Sequence, residues 1–267
     1  MKNMIVCIKQ IMDPEAPLDS FEIDSNKKQI IPGAKAAQVI SPFDEHALEA
    51  ALRIKEAEGG KITVISLGNN LRPEVLKKSL AMGADELILL EDEAFVDGDS
   101  WSTAFPLAMA IKKIEEFDVI FCGRQSADWD RGQVGSGIAE FLNLPVVTLA
   151  KKIEPGNGTA VVERVLSDGF ELIEVSLPAV ITVSNELGEV RYPKLKGMMA
   201  AKKVTPVKWD ASDINVQAFQ AGVSGRKSRL ISLYKRPVGK MCELIEGESS
   251  EEMGANLALK LREAKII

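Results

Sequence analysis

The chain has 267 residues, 46% hydrophobic and 27% charged, enough apolar material for one large domain or a domain with an appendage. A formal net charge of −6 gives no electrostatic reason to expect nucleic acid or an anionic membrane surface as a partner, and no direct membrane insertion is expected. One histidine, His46, and three cysteines far apart, Cys7, Cys122 and Cys242, leave little for a zinc site or a Ser-His pair.

The elements follow in chain order. Residues 4–8 read as a first buried strand. Residues 44–57 carry an apolar stripe at Ala47, Leu48, Ala51, Leu52 and Ile54, which predicts a helix with Ser41 or Asp44 as cap and Pro42 near its start. Strand 62–66, helix 72–82 closed by Gly83, strand 86–90, helix 100–116 and strand 119–122 come next. Continuous β-rich runs separated by helices predict an α/β fold, an open and mostly parallel sheet with helices on both faces.

Beyond Pro145 the rhythm changes. Residues 146–153, 159–165, 170–176 and 179–183 are short strand-like runs split by turns, an antiparallel extension. Residues 184–208 show no clear periodicity, residues 209–238 are polar and irregular, and a helix returns at 251–264. So long a tail with little core of its own predicts an arm that packs on another chain. No apolar run approaches about 18 residues and the first residues lack a signal peptide's apolar centre, so a cytoplasmic protein is expected.

Open parallel sheets bind ligands at the carboxyl ends of their strands. Four features belong there: Lys9 and Gln10 after the first strand, Ser41-Pro42-Phe43 before its helix, Ser66 to Gly68 after the second, and the glycine-bearing stretch 123–135 after the fourth. Together they predict a nucleotide crevice, although the spacing matches neither a dinucleotide fingerprint nor a P-loop. For Gly132 and Gly135 the alternative is simple turn formation and close helix packing. Asp128 and Asp130 could hold a magnesium ion only if substrate phosphates completed its shell, and the kinase-type lysine is missing. No metal is expected. Asp130, three residues before Gln133, has capping-box spacing.

The chain resembles the beta subunit of electron transfer flavoprotein. Its motifs are VER at 162–164 with DG at 168–169, LPAVITV at 177–183, LGEVRYPKL at 187–195 and AAKK at 200–203. VCIKQ at 6–10, SPFDE at 41–45 and DxDxxQVG at 128–135 match as well, so the likeness covers essentially the whole chain. The resemblance implies a heterodimer with an alpha subunit that holds most of the redox-active FAD, reached from this chain near Ser41, Pro42 and Phe43. It implies AMP or a second FAD in the crevice of this chain. Cys7, Ile8, Lys9, Ser66 and Gly68 would surround adenine and ribose. The phosphate would meet the loop of Asp128, Asp130, Arg131, Gly132, Gln133, Val134, Gly135 and Ser136. Arg131 departs from relatives that carry threonine or asparagine there, and would add a charge-assisted phosphate contact.

The resemblance further implies an electron carrier without acid/base catalysis of its own. Electrons would come from an acyl-CoA-type dehydrogenase and leave to a quinone reductase or to a ferredoxin or flavodoxin. Residues 1–185 would form the nucleotide domain, 186–203 the partner-recognition loop with Arg191, Tyr192 and an anchoring Leu195, and 204–267 the arm on alpha. One alternative is a bifurcating form that oxidises NADH at a flavin in this chain, toward which the DxDxxQVG string leans. Another, of a different class, is a nucleotide-binding stress-sensor or hydrolase domain.

Overall fold

The structure is a computed structural model and describes residues 1–33, 36–235 and 242–267, so residues 236–241 of the expected arm lie outside it. The chain divides into two units, Met1–Ile231 and Ser232–Ile267.

The first unit opens with β1 (Asn3–Cys7) and continues through short strands β2 (Gln10–Met12), β3 (Phe21–Asp24), β4 (Gln29–Pro32) and β5 (Gln38–Ile40). Then come α1 (Pro42–Glu58), β6 (Lys61–Gly68), α2 (Pro73–Leu76), α3 (Lys78–Met82), β7 (Glu86–Glu91), α4 (Ser100–Ile114), β8 (Val119–Gly123) and α5 (Val134–Leu142). The antiparallel section holds β9 (Val146–Pro155), β10 (Thr159–Leu166) and β11 (Gly169–Ser176), followed by β12 (Ala179–Val183). Last are α6 (Leu195–Lys203), β13 (Val207–Trp209) and the single turn α7 (Gly222–Gly225).

Nine strands make one sheet in the order β11-β10-β9-β12-β8-β1-β6-β7-β13. The pairs from β9–β12 across to β7–β13 are parallel, and β9–β10 and β10–β11 are antiparallel. The expected α/β architecture is therefore present, with the antiparallel extension in β9–β11, whereas β12, expected within that extension, pairs parallel with both β8 and β9. Alternation along β1 shows why both faces need helices. Met4, Val6 and Ile8 join the core under α1, while Ile5 and Cys7 point to the opposite core under α4 and α5.

Local chemistry sets the ends of the helices. Pro42 takes the first position of α1, where a missing N–H costs nothing, and Gly59 ends it at φ 77°. Asp99 and Ser102 form a reciprocal capping box at α4.

Three differences from the sequence reading stand out. The helix expected over 72–82 is two short ones meeting at Lys77. Residues 195–203, without apparent periodicity, are helical. The first part of the expected arm belongs to the first unit: β13 extends the sheet, and Ala211, Ile214, Val216 and Ala221 are buried in the α4-side core. In the second unit, α8 (Ser250–Glu263) is capped by Ser249 and has no buried residue.

Candidate functional site

Strand order reverses at β1, which has β6 on one side and β8 on the other. Such a switch point leaves a crevice at the carboxyl ends of the strands. A cavity of about 590 Å³ lies at this place, with Cys7, Ile8 and Lys9 from the end of β1 and Cys122 and Gly123 from the end of β8 in its wall. The two cysteines are direct register partners. The hydrogen bond with Cys7, together with burial, pushes the Cys122 thiol well up, so it stays protonated.

Asp44, from the first turn of α1, ties the two strand ends together. Its carboxylate accepts the Lys9 N–H at 2.8 Å and the Gly123 N–H at 3.1 Å. Burial dominates its titration and raises its pKa to about 7, although the two backbone donors pull the other way. Gly123 is obligatory there, because a Cβ would stand 2.5 Å from Asp44 Oδ1 and 2.7 Å from the Phe43 carbonyl carbon.

The loop after β8 supplies the next wall. Arg124 donates from Nη1 to Ser184 Oγ at 3.2 Å and lies over the Phe43 ring, while its buried Nε has no acceptor among the described residues. Asp130 and Gly132 both take positive φ, 52° and 62°, which turns the loop back toward the start of α5. The capping role expected for Asp130 is not observed. The residue preceding α5 is Gln133, without a side-chain cap, and the Asp130 carboxylate accepts from Gln125 Nε2 at 2.8 Å. The positive-φ turn carries Asp130 away from the helix axis, so the first amides of α5 are left for another acceptor. Gly135 lets that helix approach β12, since a Cβ would meet Thr182 Cγ2 at 2.6 Å.

The other side of the cavity comes from the β3–β4 turn, with Asn26, Lys27 and Lys28, and from Arg226, Ser228, Arg229 and Leu230. Asp99 holds the latter segment: besides capping α4 it accepts the N–H groups of Lys227 and Ser228, both at 2.7 Å. Burial alone would raise its pKa, but these donors bring it down to about 2. Lys28 Nζ reaches the Leu230 carbonyl at 3.2 Å and closes the rim. Seven cationic side chains and three carboxylates line the cavity of a chain whose net charge is −6, so it suits an anion.

Of the expected nucleotide residues, Cys7, Ile8, Lys9, Gly68, Arg131, Gly132, Gln133, Val134 and Gly135 line this one cavity. Ser41, Pro42, Phe43, Ser66, Asp128, Asp130 and Ser136 are not among its lining residues. Ser41 sits behind the wall and its hydroxyl accepts the Ala127 N–H at 3.4 Å; Phe43 lies under Arg124. Ser66 is fully buried. Asp128 forms a 2.7 Å ion pair with Lys9. Arg131 lies over Trp129 and donates to Ser228 Oγ at 3.1 Å. Asp44, Arg124 and Asp99 were missed. Asp44 was read only as a possible cap, although its place within SPFDE offered a signal. No group of three or more metal-ligating side chains occurs among the described residues, and none of their helices is long and apolar enough to cross a membrane.

On the opposite, α1 side of the sheet, Tyr192 and Leu195 are 92% and 70% exposed, while Arg191 turns inward to Glu49 and Glu56.

Residues 33–214 match the electron transfer flavoprotein domain family. The electron transfer flavoprotein subunit beta of Thermoanaerobacterium thermosaccharolyticum is 38% identical over 99% of this chain and 100% of its own. The caffeyl-CoA reductase-Etf complex subunit CarD of Acetobacterium woodii is 36% identical over the same shares. Protein FixA of Azotobacter vinelandii is 32% identical over 93% of this chain and 90% of its own. With its parallel sheet, its crevice at the switch point and this likeness along its whole length, the chain belongs to the electron transfer flavoprotein family and is similar throughout to its beta subunits.

Proposed function

We propose that this chain is the beta subunit of a heterodimeric electron transfer flavoprotein and holds an adenine nucleotide in the crevice between β1 and β8. The observation that carries the reading is the uncapped start of α5 together with Arg124, whose buried Nε lacks an acceptor among the described residues: both are donors open to an anion. Gly132, at φ 62°, makes the turn into α5, and Gly135 lets α5 sit close against β12, which fixes where those amides point.

The cations continue past this loop to Lys27, Lys28, Arg226 and Arg229, further than one phosphate needs. That extension favours the diphosphate bridge of a second FAD, whose AMP half would lie in the crevice, over AMP alone. FAD would supply the electron chemistry; the chain's own residues bind and orient it, and Asp44 holds the strand ends that form the floor. A second FAD in this chain agrees with a bifurcating, NADH-oxidising form. In either form the subunit is an electron carrier whose alpha partner holds the other FAD. Tyr192 and Leu195 are the proposed contacts for an acyl-CoA-type dehydrogenase, an apolar centre within a polar rim. The exposed Met253 and Leu257, one helical turn apart on α8, are proposed to meet alpha. The acceptor would be a quinone reductase or a ferredoxin or flavodoxin.

Co-purification with the alpha subunit and counting of released nucleotides tests this. Two FADs per heterodimer, with bleaching by NADH, is the expected result. One FAD and one AMP would defeat the diphosphate reading and keep the nucleotide site. No nucleotide beyond alpha's FAD would defeat the site itself.

A further inference from the structure

Arg191 lies in the segment proposed to dock the dehydrogenase, yet its half-buried guanidinium is folded back onto α1. Nε and Nη2 donate to Glu49 at 2.7 and 3.1 Å, and Nη1 and Nη2 donate to Glu56 at 2.5 and 3.0 Å. Glu49 is only 4% exposed and carries a second cation, Arg53, at 2.9 Å. Burial would raise the Glu49 pKa, but the two guanidinium groups bring it below the ordinary value, so it stays charged. Arg53 in turn donates to the carbonyls of Leu187 and Glu189 at 3.0 and 2.7 Å. Two arginines and two glutamates therefore fasten residues 187–191 to α1.

The far side of the segment has its own seat. A Cβ on Gly197 would stand 2.3 Å from the Ala81 carbonyl oxygen, so α6 lies directly against α3. Tyr192 and Leu195 fall on the short span between these two anchors.

We infer that Arg191, with Glu49, Glu56 and Arg53, is a positioning clamp that sets the aim of Tyr192 and Leu195 at the partner dehydrogenase, and that Arg191 makes no contact with that partner. The inference rests on the docking reading above. Preorganisation is the physical gain. A segment already fixed in its bound conformation loses little backbone freedom on association, whereas a loose one gives up about 1–2 kcal/mol for each residue ordered. Arginine suits the task because its fork meets two carboxylates at once, which a lysine ammonium cannot reproduce.

The test uses the assembled heterodimer and an acyl-CoA dehydrogenase that reduces the wild-type protein. In Arg191→Gln, the KM for the flavoprotein should rise about tenfold, corresponding to about 1.4 kcal/mol. The saturated rate and the flavin content should hold, and amide exchange over 187–195 should accelerate. Arg191→Lys should fall between. Glu56→Gln, which removes only an exposed carboxylate, should give a smaller rise and covers the case in which Arg191→Gln does not fold. Unchanged amide exchange in these variants would overturn the clamp. Faster exchange with an unchanged KM would overturn its role in docking. If Leu195→Ala leaves the KM unaltered, the docking reading falls, while the exchange data still decide whether the clamp exists.

Discussion

The nucleotide crevice and the exposed segment around Leu195 are built in opposite ways. The crevice is concave and its frame is backbone: two parallel strand ends, the loop after β8 and the start of α5, joined by one buried carboxylate, with charged side chains lining that frame. The segment at 187–195 is convex and contains no strand, and its fastening is ionic, between side chains as far as 142 residues apart. A site made by sheet topology tolerates side-chain change but not added bulk. A site made by side chains tolerates bulk on its surface but not the loss of a partner.

The largest effect that would test this contrast concerns Asp44. Its carboxyl keeps a proton up to about pH 7 in the folded chain, against 3.8 ordinarily. Between those values the folded state binds the extra proton, so this group's contribution to stability is present at low pH, is lost as pH rises from about 4 to about 7, and is constant above. Relative to wild type, Asp44→Asn should therefore gain about 1.4 kcal/mol per pH unit across that window, read from urea midpoints at a series of pH values. A difference independent of pH would mean that the carboxylate is ionised throughout and the crevice floor more open to water.

Next in size is Gly123→Ala. Its methyl group would collide with Asp44 and the Phe43 backbone, and we expect a loss of about 3 kcal/mol together with weaker nucleotide retention. Wild-type stability in this variant would show that the strand ends yield, against the rigid reading of the crevice.

The smallest effect belongs to the pair Lys9–Asp128, which joins the crevice rim by side chains alone and with Lys9 41% exposed. Asp128→Asn should cost under about 1 kcal/mol in thermal or urea unfolding. A larger loss would make this corner of the crevice resemble the ionic clamp more than its own backbone walls.

Much of the crevice was legible in the sequence for the same reason that it is rigid. Runs such as MIVCI and VIFCG announce buried parallel strands, and the rule that ligands gather at their carboxyl ends points to Lys9 and to the glycines after Gly123. Asp44 escaped because a carboxylate in a first helical turn ordinarily caps its own helix, and only the fold reveals that it reaches two strands. Asp130 failed in the opposite direction: its capping spacing was right, but a left-handed turn separated it from the helix. Arg191 was read as a docking residue beside Tyr192 and Leu195 because nothing local marks Glu49, one of several acids on α1, as its partner. Helix α6 was invisible because its lysines, methionines and glycine give no apolar period, and its seat on α3 depends on a glycine rather than on a stripe.

Helix α1 serves both regions. Asp44 and Glu49 stand five residues apart on α1, about 7.5 Å along the helix axis. The helix is thus a rule of fixed length between the crevice floor and the clamp. Over evolutionary time the exposed span could exchange its tyrosine and leucine for other side chains, changing partners, while the interval measured from the nucleotide stayed the same.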